Sequence, residues 1–264
     1  MNLKHFVVAS SVIAAALAVN HNSASAAQIV GVDVGDAYCA PHGANGTGIN
    51  VPLFVDPTHF FNYYYSTMPV KWTLQLPPEL QGKPLKVTAA TITIWASKAS
   101  SGWDPTKKFQ VFNSGVSGNH GFTRDNWTES NIWYTPGSAE EQDPFLLDLS
   151  GNHAEDNEHA TPFAEGVVDP SYTGGTMTDA VKVTFSLDVN TSTIQQRLLD
   201  DLAAGYSMFA IAGNFPTTQG GGDPYPRVVT KEGVSDASNG TSQKAPALVI
   251  EVQDNSSVAD WNVY

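Results

Sequence analysis

Cysteine is nearly absent from this chain of 264 residues, because Cys39 is the only one. A lone cysteine cannot close an internal disulfide, so stability has to come from a hydrophobic core, a bound ion or assembly. We expect Cys39 to be a buried, inert thiol, and the alternative is an intermolecular disulfide if its side chain is exposed.

Charged residues are scarce as well, at 15% of the chain, and 26 acidic residues outnumber 13 basic ones. This balance offers nothing to offset repulsion from phosphate groups or from the carboxylates of an anionic polysaccharide. Nucleic acid and polysaccharides such as alginate are therefore poor partners. An acidic surface serves solubility in most secreted proteins, and calcium binding is the functional alternative.

No hydrophobic run is long enough to cross a membrane. The apolar run from Phe6 to Val19 has about 14 residues, whereas a spanning helix needs roughly 20. A basic residue precedes this run and Ala24-Ser25-Ala26 follows it, which is typical of a secretory signal peptide. We expect a secreted or cell-surface protein without membrane insertion. Its expected parts are a signal peptide (1–26), a single domain (27–253) and a C-terminal tail (254–264).

Catalytic motifs are also missing from the sequence. It contains no GxSxG elbow, no HExxH zinc motif and no P-loop. Nothing singles out a catalytic pair among the 26 acidic residues. We therefore expect a protein that is not an enzyme, and a polysaccharide hydrolase or lyase is the alternative with least support.

The most informative segment that is present runs from Val181 to Gly205. Its first nine residues alternate between apolar and polar, which predicts a half-buried strand. Apolar residues then recur every fourth position, which predicts one short helix near residues 192–204. Ser192 and Gln195 have capping-box spacing, and Gly205 stands where a C-cap glycine would.

The rest of the chain favours short strands joined by turns, because Gly, Pro, Ser, Thr and Asn are abundant. From Leu85 to Lys98 the alternation is regular, and it places Trp95 on the polar face of its strand. Residues 150–179 show no period, so they form either a long loop or short strands. The composition and these patterns together predict an all-β fold. The other predicted strands lie within Gln28–Val34, 50–55, 60–76, 108–112, 206–213, 227–232 and 246–252.

The order of several short motifs resembles the DNRLRE-type extracellular domain, a relative of jelly-roll carbohydrate-binding modules. The resemblance covers most of the chain after the signal peptide. The motifs that carry it are Asp36-Ala37-Tyr38 with the turn ANGTG, Val70–Leu74, Leu76-Pro77, TAATITIWA, Trp127-Thr128-Glu129 with Trp133 and Pro136, Asp188-Val189-Asn190, and Pro246–Ile250.

This resemblance implies a jelly-roll β-sandwich that has no catalytic activity and is often appended to enzymes or cell-surface proteins. It also implies that Trp127, Glu129 and Trp133 form a structural motif, with the glutamate bonded to the backbone beside core tryptophans. Asp188 would then mark the hinge between a strand and the helix. A glycan site is the alternative interpretation of the tryptophan-rich motif.

Other aromatic residues are better candidates for binding a ligand. Trp95 lies on a polar strand face, Trp103 lies in the loop SSGWDPTKK, and Tyr225 lies in GGGDPYP, where glycines permit close backbone approach. Exposed aromatic rings stack on sugars, and Asp104 and Asp223 could hydrogen-bond to hydroxyl groups. We expect the partner to be a neutral polysaccharide or cell-surface glycan, and for each residue the alternative is packing beneath a loop or across strands.

Two further expectations concern ions and assembly. Jelly-roll modules often bind a structural calcium ion near their chain ends, which by analogy makes Asp33, Asp36 and Glu251 candidate ligands. A structural or adhesive protein of the cell surface or extracellular matrix is the alternative function. In that case the strand Gln28–Val34 and the C-terminal tail could support self-association by strand addition.

Overall fold

The computed structural model describes most of the chain after the predicted signal peptide. Residues 1–25 and 257–264 lie outside the described part. The described residues are 26–40, 43–45, 48–53, 55–56, 64–100, 102–114, 124–129, 148–150, 161–213, 215 and 225–256.

The described residues form fifteen β-strands, one α-helix and short 3-10 turns, so the all-β prediction and the predicted helix are confirmed. The elements are β1 (Ala26–Val30), β2 (Val32–Asp36), β3 (Tyr38–Ala40), β4 (Gly43–Asn45), β5 (Asn50–Pro52), β6 (Val55–Asp56), β7 (Tyr64–Tyr65), β8 (Met68–Thr73), β9 (Leu85–Ala96), β10 (Phe109–Asn113), β11 (Ala164–Val168), β12 (Val181–Ser186), α1 (Ser192–Ala204), β13 (Tyr206–Gly213), β14 (Arg227–Val229) and β15 (Ala247–Asp254).

Eleven of these strands form one antiparallel sheet that nearly closes into a barrel. The hydrogen-bonded order is β1-β15-β9-β12-β11-β10-β13-β8-β2, and β14 pairs with both β5 and β9. The two end strands of this order, β1 and β2, are consecutive in the chain and only Gly31 separates them. One extended segment, residues 26–36, therefore connects the two ends of the sheet.

Gly31 allows this segment to change from pairing with β15 to pairing with β8. Its N–H donates a hydrogen bond to the Leu248 carbonyl oxygen at 2.8 Å. A Cβ atom at this position would lie 2.9 Å from Cβ of Trp72, closer than packed carbon atoms approach. The missing side chain thus lets the backbone cross directly over the buried indole ring.

β11 also changes its pairing partner along its length, as the segment 26–36 does. Its first two residues pair with β10, and its last three pair with β12. The change of partner occurs at Gly166, where a Cβ atom would lie 2.6 Å from Cγ1 of Val183. A five-residue strand that changes partner at a glycine carries no clear alternation, which explains why the sequence shows no period in this region.

The inner surface of the sheet encloses a continuous hydrophobic core. Trp72 is fully buried, and its indole N–H donates to the Pro246 carbonyl oxygen at 3.0 Å. Burying each large side chain of this kind contributes about 1.5–3 kcal/mol. The largest fully buried side chains are Trp72, Trp127, Phe109, Phe185, Phe209, Phe215, Leu53, Met68, Leu80, Ile92 and Ile94.

The helix α1 packs on β9 and β13 through its apolar face, which includes the buried residues Ile194, Leu198 and Leu202. Gly205 ends the helix with a φ of 79°, and its N–H donates to the Asp201 carbonyl oxygen at 3.0 Å, so the predicted C-cap is confirmed. Within the described ranges, no helical segment meets the requirements of a membrane span.

The predicted capping box is wrong, because Thr191 rather than Ser192 is the N-cap residue. The Gln195 side chain reaches β9 instead of the helix start. Its Oε1 accepts from the N–H of Val87 at 2.9 Å, and its Nε2 donates to the Val87 carbonyl oxygen at 3.0 Å and to that of Val189 at 3.1 Å. The Gln195 amide thus makes the two hydrogen bonds to Val87 that a neighbouring strand would make, because β12 pairs with β9 only from Thr91 onward.

Candidate binding face and carboxylate cluster

Trp95 lies on the outer face of the sheet, as its position in the alternating segment predicts. Its neighbours along β9, Ile94 and Ala96, point into the core, whereas Trp95 is half-buried. Lys182 is its cross-strand partner on β12, and Thr93 stands opposite Thr184 on the same two strands. The indole therefore belongs to an outer face that carries two threonines, a lysine and, beside Thr184, the exposed Val167.

Trp103 is buried, which corrects the prediction that it is exposed for ligand stacking. Its exposed fraction is 3%, and Tyr172 stacks on it with ring centroids 4.2 Å apart. Phe109 and Phe215 contact the same indole edge-on. The turn-forming loop SSGWDPTKK that suggested exposure instead packs Trp103 against the core, so Trp103 is a packing residue.

Asp104 is exposed, and its carboxylate is hydrogen-bonded within its own loop. Its Oδ1 accepts from the backbone N–H of Thr106 at 2.9 Å and from the Thr106 hydroxyl at 2.7 Å. These hydrogen bonds lower the pKa of Asp104. The carboxylate thus closes a turn after Trp103 and stays ionised there.

Tyr225 comes just before β14 and packs partly against the core, and the Arg227 guanidinium lies 6.0 Å from its ring centroid. Since Val228 is the cross-strand partner of Ala96, Tyr225 and Trp95 belong to neighbouring segments of the chain. Asp223 lies outside the described residues. Of the five predicted ligand-binding residues, Trp95 and Tyr225 are the two partly exposed aromatic residues that the structure describes.

A cluster of carboxylates forms at the end of β2. It consists of Asp33, Asp36, Glu129 and Glu232 together with Lys231, and we call it the carboxylate cluster. The Glu129 Oε1 atom accepts from the N–H of Asp36 at 3.0 Å and contacts the Lys231 ammonium group. The same ammonium lies 2.6 Å from Oε1 of Glu232. Three distant parts of the chain therefore meet at one group of charges.

A β-bulge brings Asp33 and Asp36 to the same side of the strand. In a regular strand, residues three apart point to opposite faces. Here Asp33 pairs with Trp72 and Gly35 pairs with Lys71, so Val34 is the extra residue. The Asp33 Oδ1 atom accepts from the N–H of Gly35 at 3.0 Å and holds the bulge in place.

Burial controls the protonation of these two aspartates. It raises the pKa of Asp33 from its ordinary 3.8 to about 6, against the effect of a hydrogen bond to the Asp36 side chain. Burial and the negative charge of Asp33 raise the pKa of Asp36 to about 9. A hydrogen bond between two carboxyl groups requires a proton on one of them, so the pair retains a proton at neutral pH.

The predicted calcium ligands are only partly brought together. Asp33 and Asp36 lie in the carboxylate cluster, but Glu251 is exposed on β15 opposite Gln28. The segment 26–36 is extended, so residue 28 is separated from residue 33 by about half its length, or roughly 17 Å. Glu251 therefore does not take part in the cluster.

Glu129 and Trp127 adopt the arrangement that the structural interpretation of Trp127-Thr128-Glu129 predicts. Trp127 is 2% exposed, and both residues pack against Gly35, where a Cβ atom would lie 3.0 Å from the indole. Trp133 lies outside the described residues. Asp188 accepts from the N–H of Asn190 at 3.1 Å in the turn between β12 and α1, which is its predicted place.

Sequence reasoning missed Lys231 and Glu232 as members of the cluster. Both follow β14, nearly 200 residues after Asp33, and nothing in their local sequence distinguishes them from a charged strand end. A short β-bulge and a long-range pairing bring them to β2. Neither feature leaves a periodic signal in the sequence.

A second buried charge, Asp201, is fully satisfied by its neighbours. It is 0% exposed and accepts from Nε of Arg197 at 2.9 Å, from Nη1 of Arg124 at 3.1 Å and from the hydroxyl of Ser207 at 2.6 Å. A buried carboxylate with donors on both oxygens ties α1 to β13. We therefore assign this network to the scaffold.

No protein-family model matches the chain, and no curated protein matches it in sequence. The resemblance to the DNRLRE-type extracellular domain therefore stays a prediction that rests on the motifs named above.

Proposed function

We propose that this chain is an exported, non-catalytic β protein that binds a neutral extracellular polysaccharide through the outer sheet face around Trp95. The observation that carries the proposal is the position of Trp95, a half-buried indole on an outer face that also carries Thr93, Thr184 and Lys182 and, beside Thr184, the exposed Val167. A large aromatic residue on such a face can stack on the apolar side of a sugar ring.

The surroundings of Trp95 suit a neutral ligand. Thr93 and Thr184 supply hydroxyl groups at one cross-strand pair, and Lys182 supplies a donor directly opposite the indole. Hydroxyl and ammonium groups hydrogen-bond to sugar hydroxyls without requiring a charge on the ligand. The predicted jelly-roll relationship belongs to the same proposal. It is supported by Gly31 and Gly166, the two positions at which an extended segment changes from one pairing partner to another, as the strands at the edges of a two-layered sheet do.

Binding to insoluble polysaccharides tests the proposal. Cellulose, chitin, xylan and mannan are incubated with the purified protein, and the bound fraction is measured at increasing protein concentration. We expect Trp95→Ala to weaken binding at least tenfold, or about 1.4 kcal/mol. The control is Val32→Ala, since Val32 is a 63% exposed apolar residue on β2, away from β9.

Two outcomes contradict the proposal. One is an absence of saturable binding to any of the polysaccharides. The other is an equal loss of binding in Trp95→Ala and Val32→Ala, which would indicate nonspecific hydrophobic adsorption. Release of reducing ends or unsaturated products during the incubation would instead favour the hydrolase or lyase alternative.

Self-association is the second candidate function, and exposed valines on the segment 26–36 favour it. Val30, Val32 and Val34 are 58%, 63% and 45% exposed and lie on the same side of this segment. In the strand order of the described residues, β1 and β2 are the two ends, so each pairs on one edge. An apolar stripe on strands with a free edge suits pairing with a second copy.

Sedimentation velocity over a hundredfold range of concentration distinguishes the two candidates. Self-association predicts a weight-average mass that rises with concentration and that Val32→Lys returns to the monomer value. A strict monomer at every concentration contradicts self-association and leaves glycan binding unaffected.

A further inference from the structure

Among the residues that the structure describes, the carboxylate cluster carries more negative charge than the neighbouring cations balance. Four carboxylates, from Asp33, Asp36, Glu129 and Glu232, surround the single ammonium group of Lys231. Fully ionised, the group has a formal charge of −3. Charge of one sign that is partly removed from water is costly unless protons or a cation compensate it.

Several oxygen atoms in this cluster are buried and receive no N–H donor from the described residues, so the proton that Asp33 and Asp36 share is what compensates them. Asp36 is 1% exposed, and its Oδ2 accepts from the N–H of Lys231 at 2.7 Å, but its Oδ1 receives no N–H or hydroxyl group. Oδ2 of Asp33 and Oε2 of Glu232 are likewise buried without an N–H donor. The backbone thus holds the Asp36 carboxyl group in place, and a cation bound at its second oxygen would displace the proton that Asp36 shares with Asp33.

The spacing of the carboxylates fits a single cation. One oxygen from each of Asp36, Glu129 and Glu232 lies within 4.8 Å of the other two. Oxygen ligands of Ca²⁺ lie 2.3–2.6 Å from the ion, so two ligands on opposite sides are about 5 Å apart. Ligands of Mg²⁺ lie at 2.0–2.1 Å, which limits the same separation to about 4.2 Å. A separation below 4.8 Å is compatible with either ion, and the three carboxylates favour Ca²⁺, because Mg²⁺ usually binds one or two carboxylates and keeps several waters.

We propose that the carboxylate cluster is a binding site for a divalent cation, preferably Ca²⁺, with Asp36, Glu129 and Glu232 as ligands. The Lys231 side chain contacts two of these carboxylates and competes for the same position. It is 25% exposed, so it can turn toward solvent when the ion binds. Its backbone N–H to Asp36 is unaffected by this movement.

The ion would link three parts of the chain that are far apart in sequence. Asp36 ends β2, Glu129 belongs to the described segment 124–129, and Glu232 follows β14. This site is separate from the outer face around Trp95, and its role is to stabilise the fold. It also differs from the calcium site that the sequence suggested, because Glu129 and Glu232 take the place of Glu251.

Calcium titration of the full chain tests the site. The protein is treated with a chelator, and CaCl₂ or MgCl₂ is added at constant ionic strength while heat of binding and melting temperature are followed. We expect saturable Ca²⁺ binding near one ion per chain. At a hundredfold excess over Kd, the melting temperature should rise by about 5–10 °C. Mg²⁺ should bind at least tenfold more weakly.

Substitutions of opposite effect make the test specific. Glu232→Gln removes a ligand charge and should weaken Ca²⁺ binding at least tenfold. Lys231→Gln removes the competing ammonium group and should strengthen binding severalfold. The matched control is Glu251→Gln, an exposed carboxylate on β15 that should leave the affinity unchanged.

The proposal is overturned if the wild-type chain shows no saturable response to Ca²⁺. It is also overturned if Glu251→Gln weakens binding as much as Glu232→Gln, because the ion would then respond to general surface charge. Equal affinities in the wild type, Glu232→Gln and Lys231→Gln would likewise reject the cluster as the site. Glycan binding by Trp95 is measured separately, so failure of either proposal is distinguishable from failure of the other.

Discussion

Replacement of Gln195 by alanine should destabilise the protein far more than its position near a helix start suggests. The side-chain amide bonds to both the N–H and the carbonyl oxygen of Val87 and to the carbonyl oxygen of Val189. Val87 lies in β9 beyond the last residue that pairs with β12, so no strand replaces these bonds. Gln195→Ala therefore leaves two backbone groups of a core strand without their partner.

The three hydrogen bonds set the expected magnitude. Each bond contributes about 0.5–1.5 kcal/mol, and a partly buried backbone group that loses its partner costs at the upper end of that range. The expected loss is about 2–3 kcal/mol. For a domain of this size it corresponds to a fall of about 5–10 °C in melting temperature.

The adjacent Gln196 provides a matched control. It bonds to Asp200 on the exposed side of α1, so Gln196→Ala should change the free energy of unfolding by less than about 0.5 kcal/mol. Urea unfolding followed by tryptophan fluorescence measures both variants. Gln195→Glu adds a sharper comparison, because it keeps the acceptor and removes the donor. Equal stability of Gln195→Ala and Gln196→Ala would refute the stabilising role of the hydrogen bonds from the Gln195 amide to Val87 and Val189.

Three other perturbations have defined outcomes. Trp103→Ala should lower the free energy of unfolding by about 3–5 kcal/mol, whereas Trp95→Ala should cost less than about 1.5 kcal/mol, as thermal unfolding will show. Gly31→Ala should cost about 1–3 kcal/mol through overpacking, measured by urea unfolding. Without divalent cations, stability should fall as pH rises from about 4 to 9, because the raised pKa values of Asp33 and Asp36 make the folded state keep protons that the unfolded state releases above 3.8. Asp33→Asn should reduce this pH dependence by more than the loss of one titrating group, because the negative charge of Asp33 also helps to raise the pKa of Asp36.

Local periodicity predicted those elements whose residues alternate or repeat without interruption. The segment that contains β12 and α1 shows this, because its apolar residues face the core in both elements. The outward position of Trp95 followed from the same alternation along β9. In these regions the side chains that the core requires are neighbours in sequence, so pattern and structure coincide.

Features that depend on distant contacts were not predictable in this way. The loop around Trp103 contains residues typical of exposed turns, but Tyr172, far along the chain, covers the indole. The carboxylate cluster likewise depends on the extra residue Val34, which reverses the alternation of β2, and on Glu232, which belongs to a different strand end. A short stretch of sequence contains neither Trp103 together with Tyr172 nor Asp36 together with Glu232, so local patterns cannot reveal these contacts.

Closure of the sheet and assembly of the carboxylate cluster depend on the same segment. Residues 26–36 pair with β15 on one side of Gly31 and with β8 on the other, and Asp36 is the last residue of that pairing. The N–H of Asp36 donates to Glu129, and its carboxylate accepts from the N–H of Lys231. The cluster can therefore form only when this segment is in place, and a ligand bound there stabilises the closed sheet by mass action. A chain with one cysteine has no internal disulfide to perform this role, so a cation at the end of β2 would supply a cross-link that the sequence otherwise lacks.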